Sequence, residues 1–447
     1  MSHPLPEAFK IQMQEMLGEE YPGFEATLLH RDVPVSVRRN PFKKGIFPYR
    51  GTPVPWCGEG VYLPERPVFA LDPLWHAGAY YVQEASSMFT AYVLAHAGLP
   101  TRPLRILDLC AAPGGKSTLL ASVMPEGSLL VANEPVAARQ AVLRENLLRF
   151  GHPAVVVTQK DPGDFSDFEG FFDVVLVDAP CSGEGLFRKD EAARAEWSPE
   201  HVRFCALRQK RIMGAAFPLL APGGLLLYAT CTYNREEDEG IAGFISGSGL
   251  EKVTLEIPAS WNIPAQETGW KFFPHRNEGE GFFLAGFRNV SGGLRKEPPA
   301  VKSRPVKEKA DLETRLRAPF ELDWFSEKEG WTAFPSAHVP ALKMLQKSLR
   351  VRHYGTGTGI YKGKDFIPSQ ELAWSVFVNR DLFPGVELDR DQALSYLRRQ
   401  DLKIPGNAAQ LGWQLFTYLD VPLGWAKWLP GRINNYYPVE WRLRMQG

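Results

Sequence analysis

Cys181 and Cys231 are the side chains of this 447-residue sequence best suited to covalent chemistry. Cys181 follows an acid in Asp178-Ala-Pro-Cys181-Ser-Gly-Glu-Gly185, and Cys231 lies between hydroxyls in Thr230-Cys231-Thr232. A thiolate that adds to a substrate splits one difficult step into two easier ones. A single cysteine at such a place is more often a small apolar packing residue. Two of them, each directly beyond an apolar run and one beside Asp178, point instead to a reactive pair. A thiol with a pKa near about 8.5 is mostly protonated at neutral pH, so the attacking cysteine needs help, and Lys116 is the candidate for electrostatic support.

A second motif implies a ligand for that chemistry. The stretch Asp108-Leu-Cys110-Ala111-Ala112-Pro113-Gly114-Gly115-Lys116-Ser117 ends an apolar run with an acid, turns through glycines and enters a helix. Such a turn brings a nucleotide-type ligand against bare backbone at the mouth of a sheet. It matches neither the G-x-x-x-x-G-K-[ST] phosphate loop nor G-x-G-x-x-G. S-adenosylmethionine, which carries no phosphate, needs neither. Glu134 stands twenty residues after Gly114, the offset at which an acid on the next strand end meets ribose hydroxyls. Asp161, on a third strand end, could reach the adenine. Acids at strand ends also cap helices, but three on successive strands favour a site.

A thiol pair next to a methyl donor suits one reaction closely. Carbon 5 of cytosine is too electron-poor to attack a methylsulfonium. A thiolate adding to carbon 6 makes carbon 5 nucleophilic, the methyl is transferred, and a base removes the carbon-5 proton as the thiol leaves. The protein must then supply a thiol at the sheet edge, an acid for the polar edge of the base and a pocket for a flipped nucleotide. Asp178 is the acid paired with Cys181, and both thiols can face one base. Amino-group methyltransferases carry Asn/Asp-Pro-Pro-aromatic at this position, which Asp178-Ala-Pro-Cys181 does not match. A non-catalytic assembly factor on the same fold is the alternative outside enzymes.

The elements that must position these groups are legible as alternating apolar runs and helical patterns from Leu104 to Thr232. They predict strands at Leu104 to Cys110, Leu129 to Glu134, Ala154 to Asp161, Phe172 to Ala179 and Leu225 to Thr232, and helices at Ala137 to Phe150 and Val202 to Leu220. Ala221-Pro222-Gly223-Gly224 predicts a turn between the last helix and strand. Strands rich in Val, Leu and Ile without alternation suit a parallel sheet covered on both faces, an α/β Rossmann-like doubly wound core. In such a sheet neighbouring strand ends open into one crevice, so both thiols can face one base.

At this length the chain divides into several domains. The boundaries read from it are a leading module over 1–100, the core over 101–290, a Pro-, Gly- and Lys-rich linker over 291–312 that includes Pro305, and a Trp- and Tyr-rich α+β region over 313–447. Five scattered cysteines without a C-x-x-C pair argue against disulfides and zinc and for a reducing cytoplasm. No metal is expected. No apolar stretch approaches a membrane span, and Met1 to Lys10 lacks a secretory pattern. Lys plus Arg equals Asp plus Glu at 51 each, so any polyanion must be held by local patches.

The sequence resembles the Sun-type RNA cytosine-5 methyltransferases, and within them the bacterial RsmF group, which modifies small-subunit ribosomal RNA. The likeness rests on Ser36-Val-Arg-Arg-Asn40, the segment from His76 to Ser87, the three motifs above, Pro274-His275 with Gly279-Glu-Gly-Phe-Phe283, and Pro422-Leu-Gly-Trp-Ala-Lys427. The resemblance implies Cys231 as nucleophile, Cys181 assisting breakdown of the adduct, Lys116 and Asp178 on the cytosine ring, and Glu134 and Asp161 on S-adenosylmethionine. Cys110 to Lys116 and Asp178 complete the implied cofactor contacts, although Cys110, like Cys205 and Cys57, reads as a packing residue. It also implies a PUA-like C-terminal RNA-binding region, with RNA as partner, no DNA, no membrane and a monomer. Candidate RNA contacts are Arg38, Arg39, Lys343, Lys347, Arg350, Arg352, His353, Lys427, Arg432 and Tyr437.

Overall fold

Five apolar runs form parallel strands: β1 (Arg105–Asp108), β2 (Leu129–Asn133), β3 (Val155–Thr158), β4 (Phe172–Asp178) and β5 (Leu220–Thr230). In this computed structural model, which describes residues 4–264, 267–301, 306–328, 330–383, 385–402, 404 and 411–445, they are the middle of a nine-stranded sheet. It is completed by β6 (Glu251–Lys252), β7 (Trp270–Phe272), β8 (Phe282–Arg288) and β9 (Val351–Tyr354). The order is β6-β8-β5-β4-β1-β2-β3-β9, with β7 also paired to β8. The strands β8 and β9 run antiparallel to β5 and β3.

Successive residues of each strand are buried in opposite layers. Ile106, Leu130 and Leu227 meet α1 (Gly115–Val123), α2 (Ala137–Phe150) and the leading module through Leu119, Leu143, Leu147, Trp56 and Phe89. Leu107, Val131 and Leu226 meet α3 (Pro199–Ala216) through Ala206, Ile212 and Met213. Burial on both faces is why these strands carry no alternation. The strand order reverses between β1 and β4, and the crevice at a sheet's carboxyl rim opens at such a point.

Two local readings are corrected. Ala221 to Gly224 is not a turn before the last strand but part of β5, which kinks at Gly223 (φ 75°) and slips register against β4 between Phe172 and Val174. The helix expected from Val202 begins at Pro199, because Ser198 accepts a bond from the His201 N–H and proline suits a first turn.

The leading module places helices Glu7–Leu17 and Tyr21–His30 behind the core, with Phe9 and Phe24 packed on Tyr233 and Phe273. Its four-stranded sheet runs in the order Thr52–Val54, Cys57–Leu63, Val35–Arg39, Tyr80–Val82. The C-terminal half adds two four-stranded sheets. The stretch after Ser291 does not float free at its start: Arg295 meets Asp173 at 2.8 Å, Glu297 meets Arg105 at 3.0 Å, and the Lys296 N–H bonds the Gly170 carbonyl. Charge-assisted bonds replace the apolar burial it lacks. Residues 302–305, with Pro305, lie outside the described residues.

Candidate active site

The parallel pairing of β4 with β5 sets Asp178 opposite Ala229, so the segments leaving the two strand ends run side by side. The Sγ atoms of Cys181 and Cys231 lie 3.2 Å apart, and the hydroxyls of Ser182 and Thr232 follow at 3.3 Å. The Gly185 N–H closes the pairing on the Cys231 carbonyl at 2.9 Å. Glycine is required there, since a Cβ would stand 2.6 Å from the Gly281 carbonyl oxygen. Lys116, from the first turn of α1, reaches across with Nζ 2.8 Å from Asp178 Oδ2 and 5.1 Å from the Phe282 ring. Cys231, Lys116, Asp178, Tyr81, Gln83 and Glu84 line a cavity of about 360 Å³.

The hydrogen bond to Cys231, together with burial, holds the Cys181 thiol well above the ordinary thiol range. Burial presses the Lys116 ammonium toward neutrality, but Asp178 outweighs it and leaves the pKa above the ordinary value. All four side chains singled out for chemistry, Cys231, Cys181, Asp178 and Lys116, therefore meet in one place.

Sequence reasoning missed the frame that holds the two thiols together. The fully buried Glu184 carboxylate accepts from Thr232 Oγ1 (2.7 Å), the Tyr233 and Asn234 N–H groups (2.8 and 2.9 Å), Asn234 Nδ2 (3.1 Å) and Trp197 Nε1 (2.9 Å). Glu237, also buried, accepts from the Ser182 N–H, Asn234 Nδ2 and Gln209 Nε2. Every oxygen of the two carboxylates is thus bonded, which ties the two segments to one arrangement. The available signal was spacing, for Glu184 and Asn234 each stand three residues beyond a cysteine.

In the glycine turn, the Ala111 N–H bonds the Asn133 carbonyl, Asn146 Nδ2 the Pro113 carbonyl and Arg139 the Ala112 carbonyl. Gly114 has φ 112° and its missing Cβ faces a Leu143 methyl at 3.3 Å. Asp108 is fully buried and accepts from Ser117 Oγ at 2.6 Å, while its Oδ1 has no partner. Burial pushes its carboxyl up to about 7, against the Ser117 bond that lowers it. Glu134, 2% exposed, accepts from the Val136 N–H. Bare backbone, an unpartnered buried carboxylate oxygen and an acid on the next strand fit a nucleoside with a cationic group. Asp161 follows the third strand. It caps the following turn through the Gly163 N–H and pairs with Arg211 at 2.9 Å. Cys110 is buried, its thiol pushed up by burial.

Two candidate RNA contacts, Arg38 and Tyr437, are corrected. Arg38 is 1% exposed and bonds Gln83 Oε1, Ser122 Oγ, Thr118 Oγ1 and the Gly115 carbonyl, so it braces the glycine turn and cannot meet a phosphate. Tyr437 is 1% exposed and packs on Tyr396. His353 is half-buried, with its pKa lowered by burial and its Nε2 3.1 Å from the Gly355 carbonyl oxygen. Lys343, Lys347, Arg350, Arg352 and Arg432 are exposed, whereas Lys427 lies over the Trp413 ring and Arg39 is paired with Glu59. Replacing Arg38 by Met should cost about 2–4 kcal/mol, because four acceptors lose a buried donor. A thermal melt within 1 °C of the parent would contradict that reading.

Family models for the 16S rRNA methyltransferase RsmB/F, the N-terminal domain of 16S rRNA methyltransferase RsmF and the RsmF PUA domain match residues 98–288, 5–85 and 383–443. Ribosomal RNA small subunit methyltransferase F of Cronobacter sakazakii is 32% identical, with 98% of this chain and 96% of that protein covered. The protein of the same name from Photobacterium profundum is 33% identical over 87% of this chain and 85% of its own. Among solved structures, a methyltransferase homologue protein from Pyrococcus horikoshii is 27% identical with a TM-score of 0.54, covering 64% of this chain and 95% of that one. NSun6 of the same organism, solved with SFG, shares the fold at a TM-score of 0.55 and 22% identity over 64% of this chain and 99% of its own.

Proposed function

We propose that this chain, which belongs to the ribosomal RNA small subunit methyltransferase F family, methylates carbon 5 of a cytosine in small-subunit ribosomal RNA through a covalent bond to Cys231. The observation that carries this reading is the 3.2 Å contact between the Cys181 thiol and that of Cys231, which lines a cavity together with the Lys116–Asp178 pair. Nitrogen or oxygen methylation gives no work to such a pair, whereas addition and elimination at a pyrimidine use both members.

Cys231, which faces the cavity, adds to carbon 6 of a cytosine turned out of its RNA. Asp178 holds the polar edge of the base, and Lys116, 2.8 Å from its Oδ2, fixes that carboxylate in place. Cys181 acts in the second half, when the carbon-5 proton leaves and Cys231 is expelled; its contact with the Cys231 sulfur puts it beside the breaking bond. S-adenosylmethionine, when bound, supplies an electrophilic methyl group. The residues that would hold it are Asp108, the stretch from Cys110 to Lys116, Glu134, Asp161 and Asp178.

Unmodified small-subunit RNA incubated with isotope-labelled S-adenosylmethionine and digested to nucleosides should yield labelled 5-methylcytidine. Label confined to an amino or ribose methyl would overturn the reading. The Asp108 carboxyl adds a pH dependence. A cationic ligand favours the ionised form, so affinity should be full above pH 7 and fall roughly tenfold per pH unit below it. Calorimetry at pH 5.5 and 8 measures this, and equal affinities would remove Asp108 from the cofactor site.

A further inference from the structure

We infer that Cys231 and Cys181 also form a peroxide-modified site, in which hydroperoxides convert the attacking thiol and its neighbour into a reversible disulfide. The inference stands on geometry beyond that needed for methylation. A disulfide needs sulfurs about 2.05 Å apart and backbones already close, or strain opposes it. Here the sulfurs start at 3.2 Å and the flanking hydroxyls of Ser182 and Thr232 at 3.3 Å, so the two segments run together residue by residue. Closing the remaining gap of about 1 Å is side-chain rotation rather than chain movement.

Access is equally in place. Both cysteines are partly exposed, and Cys231 lines a cavity of about 360 Å³. Cys57, Cys110 and Cys205 are buried instead. Redox-sensitive thiols are accessible ones poised beside a resolving cysteine.

The steps balance as follows. The Cys231 sulfur attacks the terminal peroxide oxygen, the O–O bond breaks, and the hydroperoxide leaves as an alcohol, or as water from hydrogen peroxide, with the thiol proton. Cys231 is then a sulfenic acid. The Cys181 sulfur attacks the Cys231 sulfur, the S–O bond breaks, and hydroxide leaves with the Cys181 proton as water. Two thiols lose two electrons and one peroxide gains them. The product withdraws the nucleophile from RNA chemistry while shielding it from irreversible sulfinic acid, and a thiol reductant restores both sulfhydryls.

The test uses the full chain and hydrogen peroxide, and its mass readout does not depend on which base is methylated. At a fewfold molar excess of peroxide, the intact protein should lose two mass units. A proteolytic peptide joining Cys181 to Cys231 should appear, and dithiothreitol should return the mass and at least nine-tenths of the methyl transfer. In Cys181→Ser, the same treatment should instead add one to three oxygens at Cys231, without recovery of its unmodified thiol once two or more have been added. Direct accumulation of Cys231 sulfinic acid in the parent protein, or a disulfide that joins other cysteines first, overturns the inference. Absence of methyl transfer with intact peroxide chemistry would count against the proposed function alone.

Discussion

Cys181→Ser protein mixed with unmodified small-subunit RNA and methyl donor should accumulate a protein–RNA complex that survives denaturing electrophoresis, whereas Cys231→Ser should form none. The asymmetry follows from where each sulfur works. Cys231 lines the cavity beside Asp178 and Lys116, so its loss removes the bond-forming atom, and turnover should fall by about 10⁴-fold or more. Cys181 stands behind it, its thiol kept protonated first by the bond to Cys231 and then by burial. Its loss leaves addition and methyl transfer in place but stalls elimination, so the adduct persists. A trapped complex with the serine at 231, and none with the serine at 181, would mean that the roles are exchanged.

Glu184→Ala should destabilise the protein by about 4–5 kcal/mol and lower single-turnover methylation by about 10³-fold. The carboxylate accepts from the side chain of Thr232, the backbone of Tyr233 and Asn234, and the Asn234 and Trp197 side chains. Alanine would leave the Tyr233 and Asn234 N–H groups and Trp197 Nε1 without an acceptor, at about 1–3 kcal/mol for each that water cannot reach, while Asn234 Nδ2 keeps Glu237. The chain after Cys231 would then drift from the chain after Cys181, and a shift near 1 Å at a reacting centre costs about 10²-fold by itself. Glu184→Gln keeps the shape but turns one acceptor into a donor that faces donors, so it should fall between parent and alanine. Differential scanning calorimetry and rapid-quench methylation measure the two effects; a parent-like melt for the alanine protein would show that the network does not hold the site.

The core strands were legible because burial on both faces leaves a continuous apolar run, and α2 was found at its full length, Ala137–Phe150, since Gly151 with φ 86° marks its end. The four candidate reactive side chains were legible from topology: Asp178, Cys181 and Cys231 end or follow buried neighbouring strands and Lys116 opens the helix after another, so the sheet brings them to one rim. What stayed hidden depends on distant partners. Arg38 reads as a free cation in Ser36-Val-Arg-Arg-Asn40 and becomes a brace only when Thr118 and Gln83 come to it. Tyr437 near the C-terminus gives no local sign of its burial against Tyr396. Glu184 lay inside a motif already recognised, yet nothing near it in sequence names its acceptor role, because three of its partners are about fifty residues away.

The pairing of β9 with β3 ties remote parts of the chain together. An outer strand of a sheet leaves a row of unsatisfied N–H and C=O groups, and such a row recruits other chains. Here that row is covered by Val351–Tyr354, borrowed from beyond the stretch that follows Ser291. A shortened protein ending before Val351 would therefore lack more than its tail: it would present a sticky margin and clump. With Val351–Tyr354 stitched in, the polypeptide on either side of it is moored to the same sheet whose far rim carries the thiols.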